Sequence, residues 1–460
     1  MTIQEVFHTV TTETTGDAAP RVLERPDHAL SRSKISSAAL KVLYRLHRSG
    51  YTAYLVGGGV RDILLGNEPK DFDVVTNARP QEIRRLFRNS RTIGRRFRLV
   101  HVLFRGEVVE VATFRSSHEP EEGPDEWEDA AEDAAEEAAE EAAEEAAGPR
   151  RRRLPPLDDS VFGTPAEDAR RRDFTVNALF YDIATFSILD YVGGIDDLEA
   201  RLIRTIGDPV ERFEEDPVRM LRALEYAVRL DFRLEPATRE AVESCVNLIV
   251  DASPARLTYE LQEGLRSGAA AGICEAWDAS GLLTRAFPDL PRPTAEVRRL
   301  LEVLDRWVVN RRRASDPLVL APFFLPEAVA QLLDLAADGT KFDNPAYLEF
   351  LKNLLDPSGA QMHLSNHTAH LLLHALFTLS KLRRAPDRGR QVAKFARQDY
   401  FPVAWDVYEM AVEAGLLPEG PRQAWARAID RLQRGDADDD TSGGGAPRKR
   451  RRRSRRRRNR

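Results

Sequence analysis

The chain contains the segment Val56-Gly57-Gly58-Gly59-Val60-Arg61-Asp62 and, shortly after it, the segment Lys70-Asp71-Phe72-Asp73-Val74; together they decide its fold. Residues 54–56 predict a buried strand that ends at the three glycines, and residues 60–65 predict a short helix closed by Gly66. Glycines between a strand and a helix leave backbone N–H groups open to an anion, most often a phosphate. The first segment therefore predicts a phosphate-binding turn.

The second segment carries Asp71 and Asp73. Residues two apart on a strand point to the same face, so both carboxylates project together while Phe72 points into the core. Two carboxylates beside a phosphate-binding turn are the ligands that Mg²⁺ needs when it also holds a nucleotide. Each motif alone is usually a solvated turn or a linker, and only their order and spacing make them specific.

The two segments resemble the signature of the superfamily of poly(A) polymerases and CCA-adding tRNA nucleotidyltransferases. In that signature Gly-Gly-x-Val-Arg-Asp-x-x-Leu-Gly precedes Asp-x-Asp, and residues 57–66 and 71–73 match every position. The resemblance implies that Gly57, Gly58 and Arg61 cradle the phosphates. It also implies two Mg²⁺ ions at Asp71 and Asp73, one activating an RNA 3′-hydroxyl and the other neutralising the triphosphate and the leaving pyrophosphate.

Residues 171–178 resemble the second motif of this superfamily, Arg-Arg-Asp-Phe-Thr-x-Asn-Ala. By this resemblance Arg171 and Arg172 serve the triphosphate or RNA, and Asp173 completes the acidic site. Asn177 serves either a sugar hydroxyl or local bracing.

Residues 213–223 resemble the fourth motif, and residues 190–198 a mobile third one. Asp216 and Arg219 are three residues apart and share one helix face, a spacing that is most often a surface ion pair. In the superfamily the matching pair meets the Watson–Crick edge of the incoming base. Adenine and cytosine both offer an amine and a ring acceptor there, so the pair alone does not name the base.

Composition limits the classes of protein. The chain has 460 residues, enough for two or three domains, and 31% of them are charged. It has no run of about 18 apolar residues and no secretory signal, which predicts no membrane segment. With Cys245 and Cys274 alone, neither a disulfide framework nor a cysteine zinc site is expected, and we expect a reducing compartment, the cytoplasm.

The net charge of −6 conceals two opposed blocks. Residues 119–145 hold 15 acidic residues and no basic one, within a segment, 117–153, that we interpret as a disordered insertion. Residues 448–460 hold 11 basic residues in 13, a pattern typical of a tethered polycation that binds RNA phosphates or of a passive tail. Its candidate RNA-binding residues are Arg450, Arg451, Arg452, Arg455 and Arg456.

The order of the predicted elements, strands first and helices afterwards, indicates an α+β protein. We expect a flexible arm (1–33), a small mixed-sheet nucleotidyltransferase head (34–207), an all-helical neck with the base-reading motif (208–285), a helical RNA-binding body (286–435) and a disordered tail (436–460). Residues 99–104 and 108–114 predict a hairpin. Within the helical region, residues 271–283 and 326–337 each predict a helix. Glu110 on its second strand is either a further site carboxylate or an exposed residue. The basic and aromatic residues of 391–405 suit RNA or an ordinary helix core equally.

The resemblance implies template-independent addition of AMP from ATP to RNA 3′ ends, on mRNA, small RNA or tRNA, by a monomer that promotes RNA processing and turnover. Gly59, residues 94–102, residues 161–164 and the Arg-rich C-terminus are similar to the bacterial poly(A) polymerase branch. A CCA-adding enzyme is the alternative. A non-catalytic RNA-binding protein is a third hypothesis, although the retained Asp71, Asp73 and Asp173 speak against it.

Overall fold

The computed structural model describes residues 19–94, 99–116, 162–310, 312–337, 342–386 and 389–433. The chain divides into two compact units. The first comprises Met1–Pro293, Asp305–Arg312 and Pro357–His363, and the second Thr294–Leu304, Arg313–Asp356 and Leu364–Arg460. The predicted head and neck both fall in the first unit. The acidic insertion and the Arg-rich tail with its candidate RNA-binding residues lie outside the described residues.

The first unit is organised on a mixed sheet of eight described strands. They are β1 (Arg21–Leu23), β2 (Ala53–Val56), β3 (Asp73–Thr76), β4 (Ser90–Ile93), β5 (Leu99–Phe104), β6 (Glu107–Thr113), β7 (Leu179–Asp182) and β8 (Ile188–Asp190). Their order in the sheet is β1-β8-β7-β2-β3-β6-β5-β4. Only the β3–β6 pair of these strands is parallel. The predicted α+β class and the predicted hairpin are confirmed.

The helices of the first unit surround this sheet and then follow it in the chain. Those of the sheet region are α1 (Ser37–Arg48), α2 (Gly58–Leu64), α3 (Pro80–Leu86), α4 (Pro165–Arg171) and α5 (Gly194–Ala200). Those after it are α6 (Pro209–Glu215), α7 (Val218–Leu230), α8 (Pro236–Cys245), α9 (Pro254–Leu265), α10 (Ala270–Ala279) and α11 (Leu282–Ala286).

Helix α1 shows why the sequence folds this way. The Ser36 side chain accepts a hydrogen bond from the Ala39 N–H, which caps the first turn. The apolar residues Val42, Leu43 and Leu46 recur at helical spacing and are fully buried against the sheet. Burying side chains of this size contributes roughly 1.5–3 kcal/mol each.

Three details of the first unit differ from the sequence prediction. Residues 19–33, expected in a flexible arm, include β1, which pairs with β8, and Leu30, which is fully buried. The all-helical region contains the short strand β10 (Arg233–Leu234), which pairs in parallel with β9 (Leu202–Ile203). The helix predicted over 271–283 is divided into α10 and α11 because Gly281 adopts φ +77.

The two ends of the acidic insertion meet beside the sheet. Arg115 and Phe162 form an antiparallel bridge, and the Gly163 N–H donates to the Phe114 carbonyl at 2.8 Å. A Cβ on Gly163 would lie only 2.2 Å from the Arg115 carbonyl oxygen, so this close approach requires glycine. The bridge therefore joins the chain on both sides of residues 117–161.

All the regular secondary structure described in the second unit is helical. Its residues belong to α12 (Ala295–Val309), α13 (Asp316–Ala337), α14 (Asn344–Gln361), α15 (Asn366–Leu382), α16 (Gly389–Phe395), α17 (Phe401–Glu413) and α18 (Glu419–Gln433), although α12 and α14 also contribute to the first unit. Helix α15 packs on α13 and α17.

Helix α13 is longer than the sequence predicts. Its predicted start was residue 326, yet it begins at Asp316 and includes Pro322 and Pro326. The buried Leu320, Phe323 and Phe324 explain the difference, because burial offsets the backbone hydrogen bonds that the prolines remove. By length and composition α13 could cross a membrane, but 61% of its apolar window is buried within the protein, as in the core helix of a soluble protein.

Candidate active site

The phosphate-binding turn lies where β2 passes into α2. Gly57 adopts φ +73, a conformation that favours glycine. A Cβ on it would lie 3.4 Å from Asp73 Oδ2 and 3.6 Å from Arg172 Nη1. The structure thus brings the glycine turn together with one predicted carboxylate and one predicted arginine. Gly59 is equally constrained, because a Cβ there would lie 3.2 Å from the Asp71 carbonyl oxygen.

Three carboxylates converge at the start of β3. Asp73 is the first residue of β3 and pairs in register with Glu110 of β6, while Asp71 lies two residues before it. The pKa of Asp73 is raised to about 6, mainly by burial and also by Glu110 and Asp71, while Arg172 opposes the shift. Burial also raises the pKa of Asp71, and Glu110 and Glu263 add to this effect against Lys70. Burial is the main cause of both shifts, and the neighbouring carboxylates add to it.

Asp173, the predicted third carboxylate, is held by protein groups instead. Its Oδ2 accepts from Arg222 Nη2 at 2.7 Å and Nε at 3.0 Å, and its Oδ1 accepts from the Phe174 N–H and Asn177 Nδ2. Burial acts to raise the pKa of Asp173, but the Arg222 guanidinium and these hydrogen bonds keep it below the ordinary value. The carboxylate residue paired with Asp73 on the adjacent strand is Glu110.

Arg61 lies inside the protein and is only 2% exposed. Its guanidinium bonds to Asp62 and to Asn177 Oδ1, and it lies 5.2 Å above the Tyr226 ring. Arg222 lies against the same ring at 5.4 Å. Arg61 and Asn177 therefore connect α2 to the second motif as a buried brace beneath the glycine turn.

The two arginines of the second motif have different partners. Arg172 donates to Asp168 Oδ2 at 3.1 and 3.3 Å, and its charge lowers the pKa of Asp73. Arg171 donates to the Ser116 carbonyl at 2.8 Å. Arg172 is thus the predicted arginine that lies nearest to the carboxylate cluster.

The predicted base-reading pair lies on the next segment, and its two side chains form only a long ion pair. Arg219 Nε lies 3.9 Å from Asp216 Oδ2. The Asp216 carboxylate also accepts hydrogen bonds from Arg256 Nη1 at 2.9 Å and Nη2 at 2.6 Å. Arg219 Nη1 donates to the Arg212 carbonyl and to Glu215. The pair is therefore held in place by neighbours on α6 and α9.

A cavity of about 380 Å³ lies between the second motif, the base-reading pair and α9. The described residues that line it are Val75, Ala112, Arg115, Asp168, Arg171, Arg172, Asp173, Asp216, Arg219, Arg222, Arg256, Tyr259 and Glu260. Its six arginines outnumber its four acidic residues, which suits an anionic ligand. Val75 follows Asp73 by two residues on β3, and Ala112 follows Glu110 by two residues on β6. Residues two apart on a strand point to the same face, so the cavity and these two carboxylates share one face of the sheet.

The residues are a suitable donor set for Mg²⁺. Among the described residues no group of three His, Cys, Asp or Glu side chains is already arranged around a metal position. Mg²⁺ commonly uses one or two carboxylates and completes its shell with water and substrate phosphates. The crowded charges of Asp71, Asp73 and Glu110 fit a cation that arrives together with a nucleotide.

Sequence reasoning missed Arg222 and Arg256 and left Glu110 open. Arg222 links Asp173 to Glu260, whose pKa burial raises to about 7 although Arg222 opposes the shift. Arg222 follows Arg219 by three residues and so lies on the same helix face, a spacing that could have marked it as a candidate. No local signal identifies Arg256, because its partner Asp216 is distant in the sequence.

The chain was compared with known families and proteins. Residues 53–204 match the poly A polymerase head domain, and residues 231–292 match a family described as the probable RNA- and SrmB-binding site of polymerase A. The Poly(A) polymerase I of Salmonella typhimurium is 36% identical over 416 residues, which cover 88% of this chain and 85% of that protein. The CCA-adding enzyme of Bacillus licheniformis is 35% identical over 263 residues, 57% of either chain.

Solved structures agree on the fold. A tRNA-processing enzyme in an apo form superposes with a TM-score of 0.51 over 89% of this chain and 99% of its own, at 22% sequence identity. The matched domains and the long similarity to poly(A) polymerases confirm the family predicted from the motifs. The chain belongs to the bacterial poly(A) polymerase family of RNA nucleotidyltransferases.

Proposed function

We propose that this polymerase adds AMP from ATP to RNA 3′ ends without a template, at the site formed by Asp71, Asp73 and Glu110 and the adjoining arginine-lined cavity. The observation that carries the proposal is the convergence of these carboxylates, with raised pKa values at Asp71 and Asp73, beside the glycine turn. A metal ion supplies the positive charge that these carboxylates need, and the glycine turn and the arginines suit the anionic triphosphate.

Asp71 and Asp73 would hold two Mg²⁺ ions, with Glu110 as the third carboxylate. When bound, Mg²⁺ lowers the pKa of an attacking hydroxyl and neutralises charge on the phosphates. The chain's own groups do the positioning. The turn at Gly57 presents backbone N–H groups to phosphate, and Arg172 supplies positive charge next to Asp73.

Asp216 and Arg219 would meet the edge of the incoming base. Arg256 and Glu215 fix them before the nucleotide arrives, so little conformational freedom is lost on binding. Arg61, Asn177 and Asp173 would act one layer below as braces rather than as phosphate ligands, because their polar atoms bond to one another and to Asp62 and Arg222.

RNA 3′ ends of mRNA and small RNA are the proposed substrates, and a monomer in the cytoplasm is the proposed form. The two cysteines are free and buried, which is compatible with a reducing compartment. ATP is favoured over a CTP-then-ATP programme because the similarity to Poly(A) polymerase I extends over 88% of the chain, against 57% for the CCA-adding enzyme.

The test is to incubate the chain with unstructured RNA and each single NTP, and with tRNA that lacks its 3′ terminus. ATP alone should give a long run of A on the unstructured RNA. A product that stops after three nucleotides on tRNA, and requires CTP, would instead assign the CCA-adding activity.

A further inference from the structure

The second unit contains a cavity of about 610 Å³, a volume typical of small-molecule sites. It opens around the C-terminal end of α15, α16 and the middle of α18. The described residues that line it are Phe342, Asn344, Ser380, Lys381, Arg383, Arg384, Ala385, Pro386, Val392, Lys394, Phe395, Gln398, Tyr400 and Trp425.

The charges of this lining have one sign. Lys381, Arg383, Arg384 and Lys394 contribute four cations, and none of the described lining residues is acidic. Arg383 Nε is buried and has no hydrogen-bond partner among the described residues. Burial and the neighbouring Arg384 lower the pKa of Arg383. A buried donor without an acceptor destabilises the protein, and an anionic ligand at Arg383 would supply that acceptor.

The aromatic residues give the cavity flat apolar surfaces. Tyr400 stacks on His374 with ring centres 5.0 Å apart, and the Phe395 ring lies 5.7 Å from Trp425. The Trp425 indole N–H donates to the Arg384 carbonyl at 2.7 Å, which fixes the ring. Lys381 lies 5.3 Å above the Phe395 ring. Flat rings beside cations match a base joined to a phosphodiester.

We propose that this cavity binds an unpaired nucleotide of single-stranded RNA, its base against Tyr400 and Phe395 and its phosphodiester at Arg383, Lys381 and Lys394. The choice of RNA over another anion rests on the proposed function. No described lining residue is a carboxylate, so the cavity binds RNA without catalysing a reaction on it. It is a holding site for RNA during repeated addition.

The test uses the full chain, with fluorescently labelled oligoadenylate followed by anisotropy at several salt concentrations. Arg383→Gln removes the positive charge of the half-buried guanidinium, and Lys381→Gln removes the positive charge of an exposed lysine in the same lining. Each should weaken oligoadenylate binding about tenfold and reduce the salt slope by about 0.7. Tyr400→Ala should weaken binding by about five- to 150-fold, as expected for one stacked base. Lys352→Gln, an exposed lysine of α14, is the control and should change neither quantity.

Further measurements separate the alternatives. ATP binding, and single-nucleotide addition at saturating RNA, should be unchanged in Arg383→Gln and Lys381→Gln. If both variants bind oligoadenylate with wild-type affinity and salt slope, the proposal is wrong. If they lose affinity for ATP or pyrophosphate instead, the cavity takes a free nucleotide and not RNA. Binding is measured without catalysis, so its outcome does not depend on which nucleotides the chain adds. If the chain adds CCA and the two variants still lose oligoadenylate affinity, the proposed function is wrong and this inference stands.

Discussion

At Asp73 three carboxylates meet one guanidinium. Burial, Glu110 and Asp71 raise its pKa to about 6, from 3.8, and Arg172 lowers it. The folded protein therefore holds this proton more tightly than the unfolded chain. The group's contribution to stability is greatest at low pH and declines as the pH rises through about 6. Cation binding acts in the opposite sense, because only the ionised carboxylate is a ligand.

A pH prediction follows for the metal requirement. At limiting Mg²⁺ the rate of AMP addition should fall as the pH is lowered through about 6, since protonated Asp73 binds no cation. Raising the Mg²⁺ concentration should restore much of the lost rate. Initial rates over a grid of pH and Mg²⁺ would check this. A pH profile that is the same at every Mg²⁺ concentration would contradict the role given to Asp73.

The carboxylates can also be removed one at a time. Asp71→Ala or Asp73→Ala should abolish transfer, a loss of several kcal/mol of transition-state stabilisation, with little change in RNA affinity. Single-turnover rates and RNA binding together check this. Asp182→Asn is the control, because Asp182 bonds only to the adjoining turn in the described contacts. A variant at Asp71 or Asp73 that keeps more than about a tenth of the rate would remove it from the site.

Individual residues were predictable where the chemistry is local. The order and spacing of the motifs, with the family resemblance, point to Asp71 and Asp73, and the Asp73 carboxylate lies beside Gly57 in the structure. The bonding partners of Arg61 and Asp173 could not be predicted from the local sequence. Whether an arginine reaches a ligand or a buried neighbour depends on burial and on distant partners, such as Arg222.

At the scale of elements, α7 and α9 act as one support. Helix α7 and the two residues before it carry Asp216, Arg219 and Arg222, and α9 supplies Arg256 and Glu260 to hold them. The boundaries of most helices follow from apolar periodicity and from prolines at their first turns. The pairing between these two helices does not, since no periodicity reports which side chains meet across 38 to 40 residues of sequence.

This support gives a prediction for Arg256. Arg256→Gln should lower kcat/KM for ATP about tenfold or more and relax the preference for ATP over other NTPs, because Asp216 loses a charge-assisted bidentate partner. Steady-state kinetics with each NTP would measure both effects. Arg266→Gln replaces the arginine that directly follows α9, and it should leave the base preference unchanged. Equal effects of the two substitutions would mean that Arg256 is merely structural.

At the scale of the whole molecule, the opposed charge blocks lie outside the described residues, and their roles rest on the sequence and on where they join the fold. Deleting residues 121–148 should leave the single-turnover rate of AMP addition unchanged. The reason is that the Arg115–Phe162 bridge closes the chain on both sides, and loop length alone changes stability by only about 0.6 kcal/mol per doubling. Rapid-quench rates of the deletion variant and the intact chain check this; a large fall would place part of the segment at the site.

The Arg-rich tail should act through phosphates alone. If about six of its arginines contact single-stranded RNA, a slope of roughly −0.7 per contact predicts a loss of several hundred-fold in its contribution between about 50 and 200 mM salt. Truncation after Gln433 should therefore flatten the salt dependence and shorten the products made per binding event. Single-nucleotide addition at saturating RNA should be retained. Identical salt slopes and product lengths in the truncated and intact chains would leave the tail no part in holding RNA.

The parallel pairing of β3 with β6 also determines when the site comes into existence. Parallel neighbours need a crossover, and here the intervening chain contains α3, β4 and β5. Asp73 and Glu110 become neighbours only after that whole segment has folded back onto the sheet. A chain emerging from the ribosome therefore presents Asp71 and Asp73 before Glu110 can join them. Any cation affinity that depends on all three carboxylates requires the completed crossover.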